Sequence, residues 1–471
     1  MAADIKDFIV TIDLGSSKVT AVAGQKQPDG VIKVLAYYQE SSDTFIRKGR
    51  INNVNKMTQC AKNIKEALEK RCKKAVTKAY VGVGGMGMHT LSNSVKRSFS
   101  EKHVISQDIV DSLFDENRQK NLGERNILEV IPQEYKIGTQ ITTEPVGAFT
   151  DSIEASFRNI VANMQAFDQV RKCFNAAGIS VVETPVAILR VADIMLTEPE
   201  KRSGCVFVDM GAETTSVAIF KNNLLRHFAA IPLGGANITR DIMSLQLEED
   251  EAEALKKKFG RANNQDSNAA PAPIVTSDGR KFEYDEFANI IEARVEEIVM
   301  NIKHQVELSG YDKGVLNAGI VLTGGASNLK GIDSVITRML SIEKLHIMKS
   351  GRVMVRGERT DAMSTETYSV ALALFDEADQ NCCGGELGEE QPIDLFTEPT
   401  VEPTTETTEQ ELTTQPATQE TAPAESEDAG ATKDDDENPD ATGEDKPAKS
   451  GGFMKTLKAW GRKLGEMVGE E

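Results

Sequence analysis

Ile12-Asp13-Leu14-Gly15, a short turn, then Val19-Thr20-Ala21-Val22: this motif returns far downstream as Val208-Asp209-Met210-Gly211, a turn, and Ser216-Val217-Ala218-Ile219. In both copies an apolar strand ends on Asp-x-Gly and a second apolar strand starts a few residues later. Strands over 8–13, 19–23 and 31–38 form a meander. A helix follows, with Met57, Ala61, Ile64, Leu68 and Cys72 at helical spacing, and then a strand over 79–83 that runs into Gly84-Gly85. The second copy repeats this order, with strands over 205–209, 216–220 and 225–230 and a helix beginning over 237–245. A third glycine-rich turn, Thr323-Gly324-Gly325-Ala326-Ser327, follows a buried-looking strand over 319–322. Such repetition predicts two related α/β lobes facing one another. The first spans 1–85, completed by about 166–202 and 353–378, and the second spans 203–352. Residues 86–165 interrupt the first lobe. With a helix near 107–118 and strands near 126–131 and 135–141, they suffice for a small inserted α+β subdomain.

A strand-Asp-x-Gly turn suits phosphate chemistry when it occurs twice. The glycine lets backbone N–H groups approach phosphate oxygens, the Asp faces a hydrated cation, and a Ser, Thr or Lys in the turn adds a donor. The first copy offers Asp13, Gly15, Ser16, Ser17 and Lys18, and the second Asp209, Gly211, Thr214 and Thr215. Either turn alone is more often a plain strand connection. Two copies in the right order, with a Gly-Gly turn besides, point to a phosphate ligand held between the lobes.

With 471 residues the chain has ample length for several cores. Its net charge of −19 is concentrated in one segment, since residues 384–450 hold twenty acids against three lysines. The remaining body is nearly neutral, which argues against electrostatic nucleic-acid binding. Six scattered cysteines show no metal-ligand spacing and fit a reducing compartment; the vicinal Cys382 and Cys383 leave a metal or strained disulfide open. The N-terminus lacks a signal pattern and no apolar run is long enough to span a bilayer, so the expected location is cytoplasmic. From about residue 379 the composition turns to Thr, Glu, Pro and Gln, which predicts a disordered acidic linker over 379–450.

In the last segment, 451–471, Phe453, Met454, Leu457, Trp460, Leu464, Met467 and Val468 fall on one helical stripe, with Lys455, Lys458, Arg462 and Lys463 towards the other side. This is the pattern of an amphipathic helix lying in a membrane interface, anchored by Phe453, Leu457, Trp460 and Leu464, with its cations facing anionic lipid. Docking on its own body or in a partner's groove is the alternative.

These motifs resemble the FtsA family of bacterial cell-division proteins, within the actin, sugar-kinase and DnaK-type chaperone superfamily. The likeness covers about residues 5–375 and the last 20. Val130-Ile131-Pro132-Gln133-Glu134-Tyr135 is similar to a signature of the subdomain that this family inserts and actin and MreB lack. The resemblance implies a duplicated, ribonuclease H-like, two-lobed actin-like ATPase fold, with a subdomain of lobe 2 over about 244–309. It implies ATP with Mg2+, the metal held through water by Asp13 and Asp209. Gly324, Gly325 and Ala326 become part of an adenosine motif, and Glu253 and Lys256 of an adenosine-contacting helix. As bare sequence those two are an i, i+3 surface ion pair. The stretch Ile291-Glu292-Ala293-Arg294 is similar to the region that meets the tubulin-like protein FtsZ, with Arg294 the candidate contact; by itself it is one turn of an amphipathic helix. Other implied partners are further copies of the chain in filaments, inner-membrane lipid and other divisome proteins. The implied place is the cytoplasmic face of the membrane at the division site.

Two departures bear on catalysis. Thr184-Pro185 stands where chaperones of the superfamily carry Glu-Pro, with Glu183 one residue early. The second loop also places Glu213 near the expected phosphates. Both imply weak or absent ATP hydrolysis. A small-molecule phosphotransferase with Asp209 as general base is the rival reading.

Overall fold

The computed structural model describes residues 8–263, 273–312, 314–357 and 365–387. Most of the expected acidic linker and the expected anchor with Phe453, Leu457, Trp460 and Leu464 lie outside the described residues.

Strand Phe8–Leu14 takes the centre of the first sheet because it is apolar on both sides: Phe8, Ile9, Val10 and Ile12 are all buried. It runs antiparallel to Lys18–Lys26, with Ile12 opposite Ala21, and parallel to Lys78–Gly82, with Ile12 opposite Val81. The full order is Ser180–Val181, Lys78–Gly82, Phe8–Leu14, Lys18–Lys26, Ile32–Ser41 and Val355–Arg356. Helix Val54–Cys72 shares this core through Met57, Cys60, Ala61, Ile64 and Leu68. Asn53 caps its start by accepting the Lys56 N–H at 3.0 Å. Lys73, in the left-handed region at φ 55°, closes its end with its N–H on the Glu69 carbonyl.

The second lobe repeats the plan. Cys205–Met210 pairs antiparallel with Thr215–Lys221 and parallel with Gly319–Thr323, and Leu345–Ile347 lies beyond. Helix Tyr284–Leu308 packs Phe287, Ile291, Val295, Ile298 and Ile302 into the core of that sheet. Asp13 stands opposite Gly82 and Asp209 opposite Thr323. The turns at Gly84-Gly85 and Gly324-Gly325 are therefore counterparts, each lying just beyond the strand parallel to an Asp-bearing one.

Two sequence expectations change. The insertion was expected to show separate strands near 126–131 and 135–141. Instead Arg125–Ile137 is one strand, followed by Gln140–Thr142. Pro132 lacks an N–H, and the strand absorbs it with a shift of register between Ala155 and Phe157 of the neighbouring strand. The shift re-aims Gln133 and Glu134 at Arg226 of the second lobe, at 3.0 and 2.6 Å. The insertion's sheet also joins the second lobe's, with His89 opposite Ala229, giving nine strands in a row.

The linker expected from 379 does not begin there, because residues 379–387 pack on the body. Tyr80 donates its hydroxyl to Asp379 at 2.9 Å, Cys382 is fully buried with its N–H on the Phe8 carbonyl at 2.7 Å, and Cys383–Glu386 pairs with Lys74–Val76. A composition window overlooks this because two or three buried side chains suffice to hold a polar stretch. Cys382 and Cys383 are both free thiols.

Candidate functional site

The repeated strands bring Asp13 and Asp209 to matching strand ends, close enough for the Asp209 charge to act on Asp13. Burial lifts the Asp13 carboxyl to about 7, with the Asp209 charge adding to the rise and Lys18 opposing it. Burial alone lifts Asp209 to about 6. Each keeps a narrow opening to solvent, and neither accepts a hydrogen bond among the described residues. Two desolvated carboxylates without donors of their own suit a hydrated divalent cation. No group of three or more His, Cys, Asp or Glu side chains that could hold a metal occurs among the described residues.

The turns around them are tight for stated reasons. A Cβ at Gly15 would come within 2.6 Å of the Lys18 carbonyl oxygen. Gly324, at φ 89°, lies so close to the Asp209 side chain and the Met210 carbonyl that no Cβ could fit. The Gly211 N–H is used within its own turn, on the Thr214 carbonyl at 2.8 Å. Ser16 accepts the Gly49 N–H at 2.9 Å, and Ser17 is exposed. Thr214 stays partly open, whereas Thr215 is fully buried and gives its hydroxyl to the Leu233 carbonyl at 2.8 Å. Thr215 thus braces the loop from behind. Gly325 is exposed and Ala326 half-buried at the lip of the third turn.

Glu253 and Lys256 lie in a compact knot. Their ion pair measures 2.6 Å, and Lys256 also donates to the Gly235 carbonyl at 2.9 Å and to the Thr239 hydroxyl at 2.8 Å. Burial lowers the Lys256 pKa even beside this partner. A Cβ added at Gly235 would lie 3.2 Å from the Ala326 Cβ and 3.6 Å from the Lys256 ammonium. Gly211, Gly235, Ala326 and Lys256 therefore meet at one place. Sequence reading missed Gly234-Gly235, the start of helix Gly235–Ile242, although Gly234-Gly235-Ala236 repeats Gly324-Gly325-Ala326 in plain letters. Helix N-termini of this kind favour anions.

Glu213 does not face the expected phosphate position. It is 3% exposed, accepts the Lys48 N–H at 2.7 Å and the Arg47 guanidinium at 2.9 Å, and pairs with Arg240. Its charge is spent in tying the Arg47–Arg50 turn of the first lobe to the second loop. Glu213 therefore gives no ground for expecting weak hydrolysis. Residues 183–186 run beside Lys78–Gly82, with the Val81 and Val83 N–H groups on the Glu183 and Pro185 carbonyls at 3.1 and 3.0 Å, and the Glu183 side chain is exposed. Arg294 lies apart from this cleft chemistry. It grips Asp241 at 2.5 and 3.0 Å and also pairs with Glu297.

A family model for the cell division protein FtsA matches residues 206–373, and one for the SHS2 domain inserted in FtsA matches residues 85–161. Cell division protein FtsA of Neisseria meningitidis serogroup B is 29% identical over 378 residues, covering 79% of this chain and 90% of that one. That of Porphyromonas gingivalis is 28% identical over 336 residues, 70% of each. The chain belongs to the FtsA family of cell division proteins. Among solved structures, the type IV pilus biogenesis complex PilM-PilN superposes with a TM-score of 0.52 at 16% identity, covering 78% of this chain and 98% of that one. That likeness concerns the actin-like fold alone. Membership of the FtsA family disfavours the small-molecule phosphotransferase. No helix among the described residues is long and apolar enough to cross a membrane.

Proposed function

We propose that this FtsA-family chain binds Mg-ATP between its lobes and that the filled cleft favours self-assembly. Neighbouring subunits then pool their C-terminal helices on the inner membrane and hold FtsZ filaments at its cytoplasmic face, beside other divisome proteins. The observation that carries the nucleotide half is the meeting of two Asp-x-Gly turns with desolvated, donor-free Asp13 and Asp209 at their centre. Asp13 and Asp209 hold Mg2+ through water. Gly15, Ser16, Ser17, Lys18 and Thr214 supply donors to phosphate oxygens, while Gly211, its N–H held by the Thr214 carbonyl, keeps the second loop tight enough for the phosphate to approach. Gly324, Gly325, Ala326 and the Glu253–Lys256 knot line the adenosine end. Bound Mg2+ neutralises phosphate charge, while the chain's own work is to orient the ligand and exclude water. With Thr184 in place of a water-orienting carboxylate, the nucleotide serves more as a switch than as a substrate. Arg294 lies on the surface offered to FtsZ, pre-set by Asp241.

Calorimetry tests the site: Asp13→Ala and Asp209→Ala should each weaken Mg-ATP binding, and unchanged affinity in both would remove it. Co-sedimentation of FtsZ with anionic vesicles only in the presence of this chain tests the adaptor.

A further inference from the structure

Among the described residues two buried side-chain polar atoms have no hydrogen-bond partner, the Thr20 Oγ1 and the Arg190 Nε. Arg190 engages Glu129, Asp193 and Glu377 through its other nitrogens, so its charge is answered. Thr20 is different, because its only polar side-chain group is the unpaired one. It is 1% exposed and sits among Val19, Ala21, Val22 and Ala23, all buried. A valine would fill the same space with no polar atom, and a buried hydroxyl left unpaired destabilises a fold. Other buried threonines use theirs: Thr11 donates to the Ala371 carbonyl at 2.7 Å and Thr215 to the Leu233 carbonyl at 2.8 Å.

The register says what this hydroxyl is near. Strand Lys18–Lys26 runs antiparallel to Phe8–Leu14 with Thr20 directly opposite Asp13, so the two side chains leave the sheet on the same face with their Cβ atoms about 4.5–5.5 Å apart. On its other side Asp13 faces Gly82, where Leu374 packs so closely that a Cβ would lie 2.8 Å from its Cδ1. Asp13 thus has an apolar wall on one flank and Thr20 on the other. The hydroxyl and the carboxylate do not bond directly, and their places on opposite residues suit a contact through one water. The second copy repeats the pairing with Ser216 opposite Asp209, but Ser216 is half-buried and can meet solvent.

We propose that Thr20 is a positioning residue for the cation at Asp13: its hydroxyl holds one water of the cation's shell against the Asp13 carboxylate. The proposal rests on the Mg-ATP reading of the cleft and gives that site a residue from the strand beyond the first loop. Mg2+ keeps several of its waters and demands regular geometry, so a group that fixes one water orients the whole shell. The ligand-free protein bears the cost of the unpaired hydroxyl, and the bound cation's water relieves it.

The test uses the full chain with two substitutions, Thr20→Val and Thr20→Ser. In scanning calorimetry without ligand, Thr20→Val should melt at the wild-type temperature or about a degree or two above it. In Mg2+ titrations at fixed ATP its half-saturation should rise about tenfold, the usual effect of removing an outer-shell partner, while its ATP affinity in EDTA stays within about twofold. Thr20→Ser keeps the hydroxyl and should follow the wild-type Mg2+ dependence to within about threefold. A Thr20→Val protein that melts several degrees below wild type would mean that the hydroxyl serves the fold, and an unchanged Mg2+ half-saturation would mean that it does not meet the cation's shell. Either result overturns the proposal. Wild type that bound no Mg-ATP would bring down the reading of the cleft and this proposal with it, whereas normal binding by wild type beside a silent Thr20→Val sinks the proposal alone.

Discussion

Asp13 and Asp209 place their cost and their use on the same atoms. An unfolded carboxyl of this kind titrates near 3.8, whereas burial in the folded protein lifts Asp13 to about 7 and Asp209 to about 6. Between roughly pH 4 and 7 the folded state holds more protons, so stability falls as pH rises through that window. A cation reverses the preference, because it favours the ionised pair. Mg-ATP binding at pH 6.5 should therefore release protons, read as a dependence of the calorimetric enthalpy on the buffer's ionisation heat that fades by pH 8. A buffer-independent enthalpy at pH 6.5 would mean that the pair is not the cation's seat. Asp13→Asn removes the repulsion at neutral pH. Its ligand-free form should melt a few degrees higher at pH 8 while its Mg-ATP affinity falls by about tenfold or more, the usual trade at a strained site. A variant that loses both stability and binding would speak for a plain structural role.

At the scale of elements, the turn between Ile46–Arg47 and Arg50–Ile51 fastens the two lobes by holding both loops at once: its Gly49 N–H on Ser16, and its Arg47 side chain and Lys48 N–H on Glu213. Glu213→Ala leaves that N–H and two guanidiniums without their acceptor, at a cost of about 1–3 kcal/mol. Hydrogen exchange at Lys48 and Gly49 should then accelerate well beyond what the global loss of stability explains, and unchanged protection at those amides would dismiss the clasp. Nothing in the sequence gave this away. Arg47, Lys48, Glu213 and Arg240 have no shared period or motif, and only the fold brings them together. The Asp-x-Gly repeat was legible because its strands must carry apolar runs and its turns must carry glycine, both visible in letters. The insertion was legible as an interruption, but its alliance with the second lobe rests on a bulge at Pro132 and one pairing of His89 with Ala229. Local pattern cannot announce such long-range events. The linker boundary was misplaced for the same reason, since Cys382 belongs to the core through a contact with Phe8.

For the whole molecule, the weight of function rests on whether a body with no membrane-spanning helix among its described residues can be held at a membrane by residues 451–471. If residues 451–471 form the proposed interfacial helix, even partial burial of Phe453, Leu457, Trp460 and Leu464 would remove a few hundred Å² from water. At about 25 cal/mol per Å² that is several kcal/mol before the cost of ordering the helix. The basic side chains offer less. Glu466, Glu470 and Glu471 offset Lys455, Lys458, Arg462 and Lys463, and salt screens what remains beyond about 8 Å. One such helix binds weakly and reversibly, so attachment should sharpen with the number of subunits joined. In vesicle flotation Trp460→Glu should release the chain almost completely, because a charge at the centre of the stripe forfeits burial on both sides of it. Lys458→Ala should reduce binding only a few-fold, and less so at high salt. Added Mg-ATP should strengthen wild-type flotation without rescuing Trp460→Glu, since pooling helices multiplies affinity only where each helix has some. Flotation of Trp460→Glu at the wild-type level would locate the anchor elsewhere in the chain.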